Sequence, residues 1–185
     1  SPSDHLGGIL QFSPERARTN LKMGYYDALK TMHQLKGFRF YIHPWNKDYF
    51  LDCFLALDAE LVRDLGRLMG FRGGSHRRML FEQILPRYCQ LLEITRQSDY
   101  EEIGLRLLEE IAERCGVERF RIYHLDEFLD IIGANYQNFY QTGNRPDPDK
   151  NRPGWPRGAR QRIMDQTAGH WYRGLVESRK SPSPV

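Results

Sequence analysis

Apolar residues recur at intervals of three and four along most of the chain, and a Ser or Asp stands just ahead of each of the clear runs. Ser13-Pro14 opens the first, with proline at the helix start where its missing N–H costs nothing, and Leu21, Tyr25, Ala28, Leu29 and Met32 follow until Gly37. Asp58 opens the second, which carries Leu61, Val62, Leu65, Leu68 and Met69 and stops at Gly70. Ser75 opens the third, with Leu80, Ile84, Leu85, Tyr88, Leu91 and Leu92, and Pro86 requires it to bend or restart. Ser98 and Glu101 have capping-box spacing ahead of Tyr100, Ile103, Leu107, Leu108, Ile111 and Cys115, with Gly116 as the stop. Asp126 begins a fifth run with an aromatic stripe of Phe128, Leu129, Ile132, Tyr136, Phe139 and Tyr140. A weaker helix is expected over 157–178, where Ile163, Met164, Trp171, Tyr172, Leu175 and Val176 are interrupted by Gly169 and Gly174.

Two segments break the helical period, Phe38 to His43 and Phe120 to His124. Their aromatic and β-branched content favours extended structure. They also resemble one another, each followed by Phe-Leu-Asp, at Phe50-Leu51-Asp52 and Phe128-Leu129-Asp130. A two-stranded pairing or a faint internal duplication would account for this. The fold class expected is therefore mainly α: a single-domain bundle of about six helices with a small two-stranded element from 38–43 and 120–124.

A chain of 185 residues with 40% hydrophobic and 12% aromatic content has material for one core and little room for a second. Its apolar runs are far shorter than the roughly 20 residues of a membrane helix, so a soluble protein is expected, with no membrane partner. No basic-then-apolar leader is present, and a first residue of serine rather than methionine points to a trimmed fragment. Cys53, Cys89 and Cys115 are widely spaced and odd in number, as expected of small buried thiols in a reducing intracellular compartment such as the cytoplasm.

Charge changes the picture at one end only. From Gly143 onward nine Lys/Arg stand against four Asp/Glu, out of 27 and 24 in the whole chain. This divides the chain into a flexible N-terminus (1–12), a helical domain (13–142), a basic Pro- and Trp-containing arm with a C-terminal helix (143–180) and a flexible tail (181–185).

Catalytic signatures are missing. There is no phosphate-binding Gly-Lys-Ser/Thr loop, dinucleotide glycine fingerprint, Gly-x-Ser-x-Gly elbow or His-Glu-x-x-His helix, and no Cys-x-x-Cys pair. Neither a cofactor nor a metal is expected, although His43, Cys53 and His124 lie where they could converge. Glu101-Glu102, Glu109-Glu110 and Glu113 read as a solvated face, since Glu109 and Glu113 fall opposite the apolar stripe with Arg106 and Arg114 beside them.

Two features point to an anionic partner such as nucleic acid. In Phe71 to Arg78, the glycines free the backbone amides, and Arg72, Gly74, Ser75, Arg77 and Arg78 surround a helix start that could hold a phosphate. In the arm, Arg157, Arg160 and Arg162 lie near Trp155 and Trp171, which serve as aromatic anchors or stacking platforms. A non-catalytic, adaptor-type regulatory protein is expected, engaging another protein, a second copy or an anionic partner through the basic loop and arm. The alternative is an enzyme or cofactor-binding protein whose site gathers His33, Tyr41, His43, Tyr123, His124 and Tyr136 from across the chain.

Overall fold

The computed structural model describes residues 14–94, 99–142 and 159–177. They form a mainly helical domain with one small sheet, as the periodicity predicts. The elements are α1 (Pro14–Met32), β1 (Tyr41–Ile42), α2 (Tyr49–Leu55), α3 (Ala59–Leu68), α4 (His76–Met79), α5 (Leu85–Leu91), α6 (Tyr100–Arg114), β2 (Ile122–Tyr123), α7 (Leu125–Thr142) and α8 (Ala159–Tyr172). A π-helical turn at Leu80–Ile84 joins α4 to α5, and another at Arg173–Glu177 extends α8. None of the described helices is long and apolar enough to cross a membrane.

Several helix ends follow directly from the sequence. The Asp58 carboxylate accepts the Glu60 and Leu61 amides at 2.8 and 3.2 Å, and the Ser75 hydroxyl accepts the Arg78 amide at 3.3 Å. Gly70 ends α3 in the left-handed region at φ +81°, with Phe71 N–H bonded to the Gly66 carbonyl and Gly70 N–H to that of Arg67. Gly116 closes α6 in the same way at φ +67°, through Val117 to Ala112 and Gly116 to Glu113.

Other boundaries shift. The cap of α6 is Asp99, whose carboxylate accepts the Glu102 amide at 2.9 Å, one residue beyond the expected capping box; Ser98 and Ser13 lie outside the described residues. Helix α7 starts at Leu125, and the His124 carbonyl takes the Phe128 amide, so Asp126 is already inside the helix. The third helix restarts at Pro86, which stands in the first turn of α5. The preceding π-helical turn, with Leu85 N–H reaching back to the Leu80 carbonyl, absorbs the register change that a proline one residue later needs.

Helix α1 ends at Met32, and the turn that closes it reverses the chain at Gln34, three residues before Gly37. Gln34 takes φ +52° while Leu35 N–H bonds the Lys30 carbonyl, a glycine's position filled by a side chain. The exposed Gln34→Gly exchange is expected to raise stability by about 0.5–1 kcal/mol, the left-handed strain relieved less the entropy that glycine adds to the unfolded chain. A urea midpoint that rises with unchanged slope would show it; a lower midpoint would refute it.

The two aromatic segments do pair. β1 and β2 run parallel, with Tyr41 opposite Ile122 and Ile42 opposite Tyr123, and His43 N–H extends the ladder to the Tyr123 carbonyl at 2.8 Å. Parallel neighbours need a long crossover, and α2 to α6 supply it. Each strand leads into a helix carrying a core phenylalanine, Phe50 on α2 and Phe128 on α7. α2 has no counterpart among the expected helices. Its apolar residues run together as Tyr49-Phe50-Leu51 and Cys53-Phe54-Leu55 rather than at helical spacing.

α6 forms the centre and is buried nearly all round, from Ile103 through Ala112. Gly104 lets it approach α2, since a Cβ there would stand 2.2 Å from the Phe50 ring. α8 closes the core on the far side: Met164, Trp171, Tyr172, Leu175 and Val176 are buried, and Trp171 meets Phe54 and Tyr88 edge-on at 6.0 and 5.2 Å. The Tyr88 hydroxyl donates to Thr167 Oγ1, which itself donates to the Ile163 carbonyl at 2.7 Å. Burial pushes the Tyr88 phenol up to about 12.

Candidate functional site

The carboxylates expected on a solvated face are largely interior. Glu109 is 1% exposed and Glu110 is also buried, because the segment 36–40 folds across that side of α6. Helical spacing cannot reveal a cover that arrives from some 70 residues away in sequence. Glu109 Oε1 accepts the amides of Phe38, Arg39 and Phe40 at 2.7, 3.0 and 3.1 Å. The Arg39 guanidinium bonds Glu110 at 2.9 Å and also Glu113, and Arg119 Nε donates to the Arg39 carbonyl at 3.2 Å. Arg106 lies over the Phe38 ring at 3.5 Å, and Lys36 pairs with Glu101 at 3.2 Å. Each of these contacts fixes the 36–40 segment, so the cluster acts as a clasp between chain segments rather than as an acid–base pair.

The dispersed His and Tyr residues come together in part. Tyr41, His43, Tyr123 and His124 meet at the sheet, and the two imidazoles stack with centroids 4.4 Å apart. Both phenols are engaged: Tyr41 donates to Asp27 Oδ1 at 3.2 Å and Tyr123 to the Glu118 carbonyl at 2.6 Å. Tyr136 stacks on Tyr172 at 3.6 Å, and His33 is exposed beyond the end of α1. Cys53 does not complete a site with the two histidines, and among the described residues no three His, Cys, Asp or Glu side chains group to hold a metal ion. Burial raises both the Cys53 and Cys115 thiols, the latter to about 11, which leaves neither as an activated nucleophile.

In the basic loop, Gly73 and Gly74 adopt φ +81° and +91°, and Arg72, Arg77 and Arg78 are exposed. Ser75 spends its hydroxyl on the Arg78 amide, and Arg78 is engaged by Glu82 at 2.7 Å. Arg72 and Arg77 form no ion pair among the described residues, which leaves them as the loop's available cations. Trp155 and Arg157 lie outside the described residues. Arg160 and Arg162 fall on α8, and Trp171 on the same helix is a core residue at 1% exposure.

Among the described residues, a row of exposed apolar side chains lies on α1. This helix meets the body through Met23, Tyr26, Asp27 and Lys30: the Tyr26 ring packs against Tyr41 and Phe120 at 5.0 and 5.8 Å, and Lys30 Nζ donates to the Gly37 carbonyl. That is its more polar side. Most of its apolar periodicity faces away from the core, leaving Leu21 77%, Tyr25 61% and Met32 76% exposed, with Ala17, Gly24 and Ala28 exposed beside them; of the expected stripe only Leu29 is half-buried. The sequence marks this stripe clearly but not its direction; Tyr26 and Asp27, which hold the opposite side down, are the only hint.

Comparison with protein-family models, with curated proteins and with solved structures matches none of them to this chain.

Proposed function

We propose that the chain is a non-catalytic, adaptor-type binding module whose partner is another protein docked on the outer face of α1. What supports the reading is that exposed stripe. Large apolar side chains scattered singly on a surface are ordinary, whereas a row along about three helical turns, on a helix already attached by its opposite side, leaves apolar surface in water without a packing role. The engaged phenols and the raised thiols argue on the same side, since the groups that an assembled catalytic site would use are already occupied or inert.

The test is a comparative capture from the source cell with the full chain, a Leu21→Asp/Met32→Asp variant and an Arg72→Ala/Arg77→Ala variant. Both substitutions sit on exposed positions and should leave the far-UV circular dichroism unchanged. The expected result is a protein captured by the parent and by the loop variant but lost with the α1 variant. Identical capture by all three would overturn the reading. Nucleic acid captured with steep salt dependence, and lost only with the loop variant, would transfer the function to the anionic surface of Arg72 and Arg77.

A further inference from the structure

We propose that the outer face of α1 receives a single amphipathic helix of a partner protein whose apolar side is flanked by carboxylates; the inference rests on the binding-module reading above. The stripe runs from Ala17 to Met32, about 22 Å at the helical rise. Large residues at 21, 25 and 32 alternate with small ones at 17, 24 and 28, and a Cβ placed on Gly24 would meet nothing within 4 Å. A ridge with hollows at three- and four-residue spacing is the surface that a second helix packs against, its side chains entering at Gly24 and Ala28. The backbone of α1 is internally hydrogen-bonded, which leaves no edge for an added strand.

Charge narrows the occupant. Arg18 and Lys22 flank the stripe and are exposed, while Asp27, the acidic side chain described on α1, turns inward to Tyr41. A partner flank rich in Asp and Glu complements these cations. In a second copy paired through α1, Asp27 is turned inward in the same way and leaves Arg18 and Lys22 without that carboxylate. Size points the same way. A strip about 22 Å long and roughly 10 Å wide offers some 200 Å², well short of the ~800 Å² per partner of a stable rigid dimer, but in the range of a weakly held, transient contact.

The test uses the full chain and two fluorescent three-heptad helical peptides, both with Leu at the two core positions, one with Glu and one with Lys at the flanking positions, read by anisotropy at low salt. The expected result is that the Glu peptide binds at least tenfold more tightly than the Lys peptide. Leu21→Gln/Met32→Gln should weaken it at least tenfold, and Arg18→Glu/Lys22→Glu should reverse the preference. Equal binding of the two peptides, or binding untouched by Leu21→Gln/Met32→Gln, overturns the proposal. So does a dimer in sedimentation that Leu21→Gln/Met32→Gln dissociates, or Leu21- and Met32-dependent binding to vesicles of anionic phospholipid. These last two leave α1 a binding surface with a different occupant. If the substitutions at Leu21 and Met32 change nothing in any arm, including capture from the source cell, the binding-module reading falls as well.

Discussion

Glu109→Ala is expected to destabilise the domain by about 3–5 kcal/mol, because the three amides of Phe38, Arg39 and Phe40 converge on one carboxylate oxygen and would lose their acceptor together. A buried donor left unsatisfied costs about 1–3 kcal/mol; the Phe40 amide is buried and those of Phe38 and Arg39 partly so, and the three enclose the turn that delivers Arg39 to Glu110 and leads into β1. Gly37 shows how tightly the turn is built: at φ +105°, a Cβ there would stand 2.8 Å from Glu109 Oε1 and 2.3 Å from the Phe40 carbonyl oxygen. Glu109→Gln keeps an acceptor in place and isolates the charge. Burial raises the Glu109 carboxyl above its ordinary range, opposed by the three amides and by Arg106. A group raised in the folded state contributes stability that is complete below its unfolded value and is lost as pH climbs through its folded value. Glu109→Gln lacks that loss, so urea unfolding of the two proteins should show the variant gaining on the parent between pH 4 and pH 8. Were the amides and Arg106 to outweigh burial, the variant would instead lose ground over the same interval.

The contrast between α1 and α6 shows what the residue pattern carries and what it leaves out. Periodicity identifies both helices, and local chemistry places the ends at Asp58, Ser75, Gly70 and Gly116, because capping involves residues three to five apart. Facing is a different matter. The stripe of Leu21, Tyr25, Ala28 and Met32 looks like a core face, yet it is exposed, since Tyr26 and Asp27 find partners on Tyr41 and Phe120 that no local rule reveals. Conversely, the charged side of α6 looks solvated and is buried, because Arg39 and its neighbours fold over it. The basic loop was legible as a loop and as a helix start. Its electrostatics depend on Glu82, which takes Arg78 out of the set of available cations. α2 escaped because six of its seven residues are apolar, so no polar side marks a period, and which of them turn inward, Phe50 and Phe54, depends on α6 and the end of α8 packing against that face.

Trp171→Ala is expected to cost about 3–5 kcal/mol, the loss of a large aromatic from a packed core, and to lower the melting temperature by roughly 10 °C. The residue lies within the basic segment 143–180 that composition sets apart from the helical domain, so the size of the effect decides whether α8 belongs to the cooperative unit. Its surroundings argue that it does. The indole is 1% exposed between Phe54 of α2 and Tyr88 of α5, and Thr167, one turn earlier on α8, takes the Tyr88 hydroxyl. One turn later, Gly174 admits Leu57 so closely that a Cβ would stand 2.4 Å from its methyl carbon. Contacts on both sides of Trp171 therefore join α8 to elements laid down a hundred residues earlier. Urea unfolding followed by far-UV circular dichroism should show a single transition moved to lower urea with its slope retained. If α8 were an arm resting on an independently stable core, the main transition would stay within about 0.5 kcal/mol of the parent, and a separate, earlier loss of helix would appear. A single shifted transition would mean that α8 is held as firmly as the core, and that the segment beyond Gly143 which composition sets apart belongs in part to the cooperative unit.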